Sequence, residues 1–382
     1  MSEEPTEPAK SESTSEIAEH RPDPEVGPKT STPAAPTPPS RPPLEGLAAF
    51  GPRLERLESV ERSSAGDTLA VKAASTGFTL TGTHVEAGKR TGLIFYERSG
   101  RHENVHLADV LVSVAPGTLE FDRAYWGVRG YDLVDAVFER VEITGFGVVT
   151  PKHDEGHAIY LNPLGSITIA DCHLHHNGGQ AIQLVRRPIE SVEPEGPASG
   201  TITVRNTRLA ENGFNPDRGA FQLSIFGTGQ DVVLTDVEII AGHDPDVTWH
   251  NGMTGGALLI ESDRFKLKPR GANTWWRGEE EPAPDDMVFT TGRATLTRVR
   301  VHHRNPNRPI VQIKSCRELV VEDSDFAEGV IQLDMPKKAG RDSGSIRWTG
   351  NRGEATVKWR GETLGPAWRD FEIIAGQLQP KR

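Results

Sequence analysis

The sequence predicts an all-β solenoid of short parallel strands stacked turn upon turn, and three observations carry that expectation. A strand pattern returns about every thirty residues from Val105 to Trp359, with eight segments in one register: VHLADVLV, VFERVEI, ITIADCHL, ITVRNTRL, VVLTDVEI, ATLTRVRV, LVVEDSDF and IRWTGNRG. Most are followed by a second short run, namely AIYL at Ala158, AIQL at Ala181, AFQL at Ala220, ALLI at Ala257, IVQI at Ile310 and VIQL at Val330. The connections lack helical periodicity and are Gly-, Asn- and Pro-rich turns such as HHNGGQ and AENGFN. Self-similarity at a fixed period means that no single repeat can bury its own apolar face, so neighbours must stack.

Within each second run the residues alternate with period two. In AIQL, Ile182 and Leu184 face one way while Ala181 and Gln183 face the other. The same alternation pairs Ile159 with Leu161, Phe221 with Leu223, Leu258 with Ile260, Val311 with Ile313 and Ile331 with Leu333. These inward pairs stay apolar in every repeat and are the expected core. Parallel strands joined by turns instead of helical crossovers require a coiled chain. The pattern resembles the right-handed parallel β-helix of the pectate-lyase-like superfamily, over roughly Leu69 to Trp359. That resemblance implies a single-stranded right-handed coil. It implies no single activity, because the fold hosts lyases, hydrolases, epimerases, phage tailspikes and inert adhesins.

The ends of the chain read differently. Residues 1–43 hold 11 prolines, no aromatic residue and more acids than bases, a composition that cannot bury enough apolar surface to order itself. They are expected to be a disordered tail or tether. Residues 44–68 are the N-terminal cap segment, where Leu44, Leu47, Leu54, Leu57 and Val60 fall at helical spacing and predict a short amphipathic capping helix up to Arg62. Residues 69–360 are the parallel β-helix, and residues 361–382, with Trp368, Phe371, Ile373 and Ile374, are the C-terminal cap segment.

Net charge is −11, which argues against nucleic acid as a partner, and no apolar run approaches a membrane span. The acidic N-terminus lacks the apolar stretch of a signal peptide, so the expected setting is a virion or the cytoplasm. Of the two cysteines, Cys172 takes an inward position equivalent to Val141, Thr207 and Val237, which predicts a packed thiol; no disulfide with Cys316 is expected.

Insertions mark the expected binding face. They enter the second run at 148–156, 213–219 and 242–256 and leave it at 185–200 and 262–292. Both sets flank one sheet face, whose outward residues should floor a groove. That floor comprises Tyr160, Asn162, Gln183, Val185, Gln222, Ser224, Leu259, Glu261, Gln312, Lys314, Gln332 and Asp334. Amides and aromatics suit hydroxyl-rich sugars, although a stacked Gln ladder could also serve the sheet alone. Trp275 and Trp276 could stack on a sugar ring or anchor their own loop.

Glu261, Lys314 and Asp334 share a column, which sets the two carboxylates about 9.6 Å apart. That approaches the ~6.5–9.5 Å gap of an inverting glycosidase, while an alternating-charge ladder is the plainer reading. The loop PKHDEGHAIY contributes His157 and Tyr160, and the run HDPDVTWHNG contributes His243 and His250. With Arg186 and Arg218 these supply the base and carboxylate-neutralising groups that uronate chemistry needs. The residues to test for catalysis are His157, Tyr160 and Glu261; those for substrate binding are Gln183, Gln222, Arg186, Arg218, Trp275, Trp276, Lys314 and Asp334. The spacing fits no standard metal signature, and no cofactor is expected. The turn histidines His175, His176, His302 and His303 are expected to face solvent. The chain thus reads as a polysaccharide-recognising protein, with a phage tail-associated glycan-binding or glycan-cleaving component as the setting and a homotrimer allowed by it. Alternatives are a lyase, hydrolase or epimerase acting in the groove, or a purely structural protein.

Overall fold

The structure, a computed structural model, describes residues 57–63, 67–88, 90–96, 100–115, 126–147, 156–185, 200–213, 221–226, 230–241, 256–261, 291–303, 309–314, 316–333 and 344–379. The described residues are all-β and form two large, mostly parallel sheets of 15 and 13 strands. The expected tail at residues 1–43 lies outside them.

The chain visits the two sheets alternately. The larger sheet takes Ser59–Ser63, Thr79–Ala87, His106–Val114, Ala136–Thr144, Ile167–Ala170, Thr201–Ala210, Asp231–Ala241, Thr291–Thr297, Cys316–Glu322 and Ser345–Thr349 in that order. Between those visits the smaller sheet takes Leu69–Val71, Leu93–Phe95, Val128–Val134, Ile159–Pro163, Ile182–Val185, Leu223–Phe226, Leu258–Glu261, Pro309–Lys314, Val330–Leu333 and Thr356–Trp359. Each return lays a strand parallel to the previous one in its sheet, so sequence order and spatial order coincide.

Register explains why the repeat works. In the larger sheet Phe138, Ile169, Val204, Leu234, Leu296, Val321 and Trp348 are successive neighbours, and all are fully buried. In the smaller sheet Ile159, Ile182, Leu223, Leu258, Val311 and Ile331 form a matching row, none more than 1% exposed. One apolar cluster runs through both rows, and burying each such side chain contributes about 1.5–3 kcal/mol. Beside the second row stand Gly127, Ala158, Ala181 and Ala257. A Cβ on Gly127 would meet Ile143 Cγ2 at 2.3 Å, which is why this corner takes only the smallest residues early in the chain.

A second regularity bends each larger-sheet strand. Gly82, Asp109, Arg140, Asp171, Asn206, Asp236, Arg298, Asp323 and Gly350 all have positive φ, and each precedes the inward residue of one row: Thr83, Val110, Val141, Cys172, Thr207, Val237, Val299, Ser324 and Asn351. Gly, Asn and Asp tolerate this conformation best. The two arginines there are held by carboxylates from a neighbouring strand, Arg140 by Asp109 at 2.8 Å and Arg298 by Asp236 at 2.6 Å. Cys172 is buried in this row and its thiol pKa is pushed up to about 12 by burial; neither cysteine forms a disulfide.

Two expectations need correction. Ser59–Ser63 is a strand paired in parallel with Thr79–Ala87, where the sequence spacing predicted the end of a capping helix. The open edge of Thr79–Ala87 offers backbone donors and acceptors that a strand satisfies and a helix cannot. The rest of that predicted helix, before residue 57, lies outside the described residues. The second correction is register: Ile182 pairs with Leu223, two residues further along than the AIQL–AFQL alignment implies. Gln222 therefore falls in the small-residue row with Ala181 and Ala257 and is fully buried.

That burial is compensated by an amide network inside the turns. Asn212 Nδ2 donates to Gln222 Oε1 at 2.8 Å and Gln222 Nε2 to Asn212 O at 2.6 Å. Asn177 Nδ2 donates to Asn212 Oδ1 at 2.7 Å, and Asn177 Oδ1 accepts from Phe146 N at 3.0 Å. Asn177 of HHNGGQ and Asn212 of AENGFN thus stack inside the molecule.

At the C-terminal end the pairing reverses. Glu362–Pro366 runs antiparallel to Thr356–Trp359, and Phe371–Ile374 antiparallel to Ser345–Thr349. Trp348 stacks between Phe326 and Phe371, with centroids at 5.2 and 5.6 Å, and its indole N–H donates to Ala367 O at 2.6 Å. The reversal covers the last parallel edge of each sheet.

Candidate functional site

After Ile94 the outward row of the smaller sheet is cationic and aromatic, then turns to amide, and ends on lysine. Its register neighbours are Ile94, Arg129, Tyr160, Gln183, Ser224, Leu259, Gln312, Gln332 and Lys358. Tyr160, Gln183, Ser224 and Leu259 are buried, whereas Arg129, Gln312, Gln332 and Lys358 are half-buried.

The densest chemistry lies around Arg129. Tyr131, Tyr160 and Val185 form a buried apolar cluster separate from the main core, with half-buried Trp126 packed against it. The Arg129 guanidinium carbon lies 4.0 Å from the Trp126 ring centroid, 4.9 Å from that of Tyr131 and 5.9 Å from that of Tyr160. Cation–π attraction holds it there. Its Nη2 donates to Tyr131 Oη, its Nε is buried without a hydrogen-bond partner, and no carboxylate pairs with it among the described residues. Two more buried polar atoms lack partners nearby in sequence and register: Gln180 Oε1, in the turn entering the row, and Ser224 Oγ. An unmet buried polar group costs about 1–3 kcal/mol, so each of these atoms gains from a hydrogen bond with any water or ligand that reaches it.

His157 stacks on Tyr160, with centroids 5.9 Å apart and planes 13° apart. Its Nδ1 accepts from Gln180 N at 2.8 Å, so the ring proton sits on Nε2. Burial, and then the charge of Arg129, push its pKa down from 6.5 to about 3. A neutral imidazole with Nδ1 engaged is a fixed donor; it has no lone pair left to act as a base. The folded form stays neutral while the unfolded chain takes up a proton near 6.5. The stability this contributes is complete above that pH and is lost as pH falls toward 3. The slope is at most about 1.4 kcal/mol per pH unit. Denaturant unfolding should therefore lose roughly 1–2 kcal/mol more between pH 7 and pH 5 in the parent than in His157→Gln. Equal losses in the two proteins would contradict the buried neutral ring.

The remaining sequence-predicted residues separate into groups. Gln183 neighbours Tyr160 on the row, as the alternation requires. Gln222 does not stand on this face, for the reason of register given above. Glu261 and Lys314 are direct register neighbours, and Lys314 is half-buried; of Glu261 only the backbone is described. The Glu261 strand lies three strands from that of Tyr160, roughly 14 Å away, too far for one proton-transfer pair. Arg186, Arg218, Trp275, Trp276 and Asp334 lie outside the described residues. Sequence reasoning missed Trp126, Arg129 and Tyr131. The signal was present in WGVRGY, where GVRG takes the register of AIYL, but two glycines interrupt its apolar alternation. No protein-family model, curated protein or solved structure matches the chain.

Proposed function

We propose that this chain is a right-handed parallel β-helix whose smaller-sheet outer face recognises an acidic, uronate-bearing glycan. The observation that supports it is Arg129: a guanidinium backed by three aromatic rings, with a buried unsatisfied Nε and no carboxylate partner among the described residues. Such a group is an anchor for a planar carboxylate, which a guanidinium binds through paired hydrogen bonds. Gln183 and the unsatisfied Gln180 Oε1 offer neutral partners for sugar hydroxyls. Recognition is favoured over turnover, since His157 is a fixed neutral donor and Tyr160 and Glu261 are too far apart to act together. A tail-associated glycan-binding component, tethered by the Pro-rich residues 1–43, is the setting that fits this reading.

Calorimetric titration with oligogalacturonate and with a neutral oligosaccharide of equal length tests the proposal. A charge-assisted hydrogen bond is worth about 1.5–3 kcal/mol, so Arg129→Gln should weaken oligogalacturonate binding about tenfold or more. Gln183→Ala should cost less, about 1 kcal/mol. Equal affinity for the neutral sugar, together with an unaffected Arg129→Gln variant, would rule the anchor out.

A further inference from the structure

The outer face of the larger sheet carries a second cluster, independent of the glycan reading. His173 and His175 are alternate residues of the strand His173–His175, so both side chains leave the same face of the sheet. Glu142, on the neighbouring strand Ala136–Thr144, is the direct register partner of His173. One ligand atom from each of Glu142, His173 and His175 can be chosen so that all three lie within 4.8 Å of one another. The sequence expectation placed His175 in a solvent-facing turn; its side chain is instead only 17% exposed.

The side chains around this triad form a chain of close contacts. Glu142 Oε1 lies 3.0 Å from His175 Nε2, His175 Nδ1 2.7 Å from His176 Nδ1, and His176 Nε2 3.3 Å from Glu211 Oε2. His173 flanks the contact between Glu142 and His175, with its ring centroid 4.1 Å from that of His175. Two imidazoles and a carboxylate thus converge on one spot of the outer face.

We propose that Glu142, His173 and His175 bind a divalent transition-metal ion of the zinc class. Two imidazoles and one carboxylate suit zinc, cobalt, nickel or copper, whereas calcium and magnesium require oxygen donors. Around a tetrahedral zinc with bonds of about 2.0–2.1 Å, ligand atoms lie about 3.3 Å apart. The donors must then close in by at most about 1.5 Å from their present separations, a movement within the reach of side-chain rotation. Three protein ligands leave a fourth position for water or a ligand oxygen, as in open zinc sites. The surroundings fit the role. His175 would ligate through Nε2 while its Nδ1 is held by His176 and by Thr144 Oγ1 at 3.3 Å, and Glu211 in turn holds His176. Such outer partners orient a ligating histidine and raise its basicity. The cation beside His173, Arg208, is drawn toward Glu238 at 3.2 Å, on the side away from Glu142.

The test uses the full chain, stripped with a chelator, dialysed, and titrated calorimetrically with zinc ion, with cobalt ion as a spectroscopic probe. The expected result is one saturable equivalent with a raised melting temperature and a tetrahedral cobalt spectrum. The His173→Ala/His175→Ala pair should abolish that equivalent, and Glu142→Gln should weaken it at least tenfold. His176→Ala, which leaves the ligands in place, should weaken it about 10- to 100-fold. Absence of a saturable equivalent overturns the proposal, as does one that survives the double substitution with the fold intact. Should the double variant fail to fold, Glu142→Gln, which keeps the side-chain shape, decides: weakened binding supports the site and unchanged binding overturns it.

Discussion

Leu223→Asp is expected to be the most damaging single change, costing several kcal/mol and abolishing a measurable folded baseline at moderate denaturant. Leu223 is fully buried and lies between Ile182 and Leu258 in neighbouring strands of the smaller sheet. An aspartate there would stand between apolar neighbours and must either lose its hydration as a carboxylate or take up a proton. Loss of the leucine's own burial adds about 2–3 kcal/mol. The control is Gln312→Asp, at a half-buried position of the outer row two strands along, which separates a general intolerance of a new carboxylate in this sheet from a specific inward position. Denaturant unfolding of Leu223→Asp within about 1 kcal/mol of the parent would show that the register is wrong.

Asn212→Leu is expected to cost about 3–5 kcal/mol although it conserves volume and adds apolar surface. Asn212 is fully buried, and its side chain joins Asn177, Gln222, Leu174 O and Ala210 O. Leucine would leave Asn177 N, which now donates to Asn212 Oδ1 at 3.2 Å, without that acceptor, and would strip Gln222 Oε1 of its side-chain donor. Each buried group left unsatisfied costs about 1–3 kcal/mol, which outweighs any gain from the methyl groups. Equilibrium unfolding gives the number, and a loss under about 1 kcal/mol would mean that the turns hold without their internal amides.

What the sequence showed, and what it hid, follows from how many residues each feature needs. The inward rows were legible because period-two alternation repeats in every strand pair; Ile159, Leu161, Ile182 and Leu184 are all fully buried. The positive-φ row was also written in the sequence, as the recurring Asp, Asn or Gly of LADV, IADC, VRNT, LTDV, VEDS and WTGN. Arg140 and Arg298 obscure it, since their tolerance of that conformation comes with carboxylate partners 31 and 62 residues earlier in the chain. The predicted capping helix failed at Ser59–Ser63 because helical spacing of a few leucines cannot compete with the free edge of an adjacent strand. Gln222 was misplaced because Ala-x-Gln-Leu looks the same in AIQL and AFQL, while the true register is shifted by two residues and keeps parity. Parity alone therefore could not reveal the error. The Arg129 cluster and the Glu142 triad each gather residues from different strands, and single-strand patterns do not show which side chains meet.

The two outer faces make separable claims, because a metal ion on the larger sheet and a glycan on the smaller one involve no common residue. The turn HHNGGQ does connect them: His175 and His176 belong to one cluster, and the backbone of Gln180 fixes His157 in the other. Binding studies of either face should therefore be run with the other face's variants as controls.

Hydrogen exchange of the full chain with and without oligogalacturonate tests the central claim most directly, since it reports where the glycan sits. The account predicts added protection confined to residues 126–131, 157–163 and 180–185, and its loss in Arg129→Gln. Protection on the larger sheet instead, or binding with no change around Arg129, would contradict it.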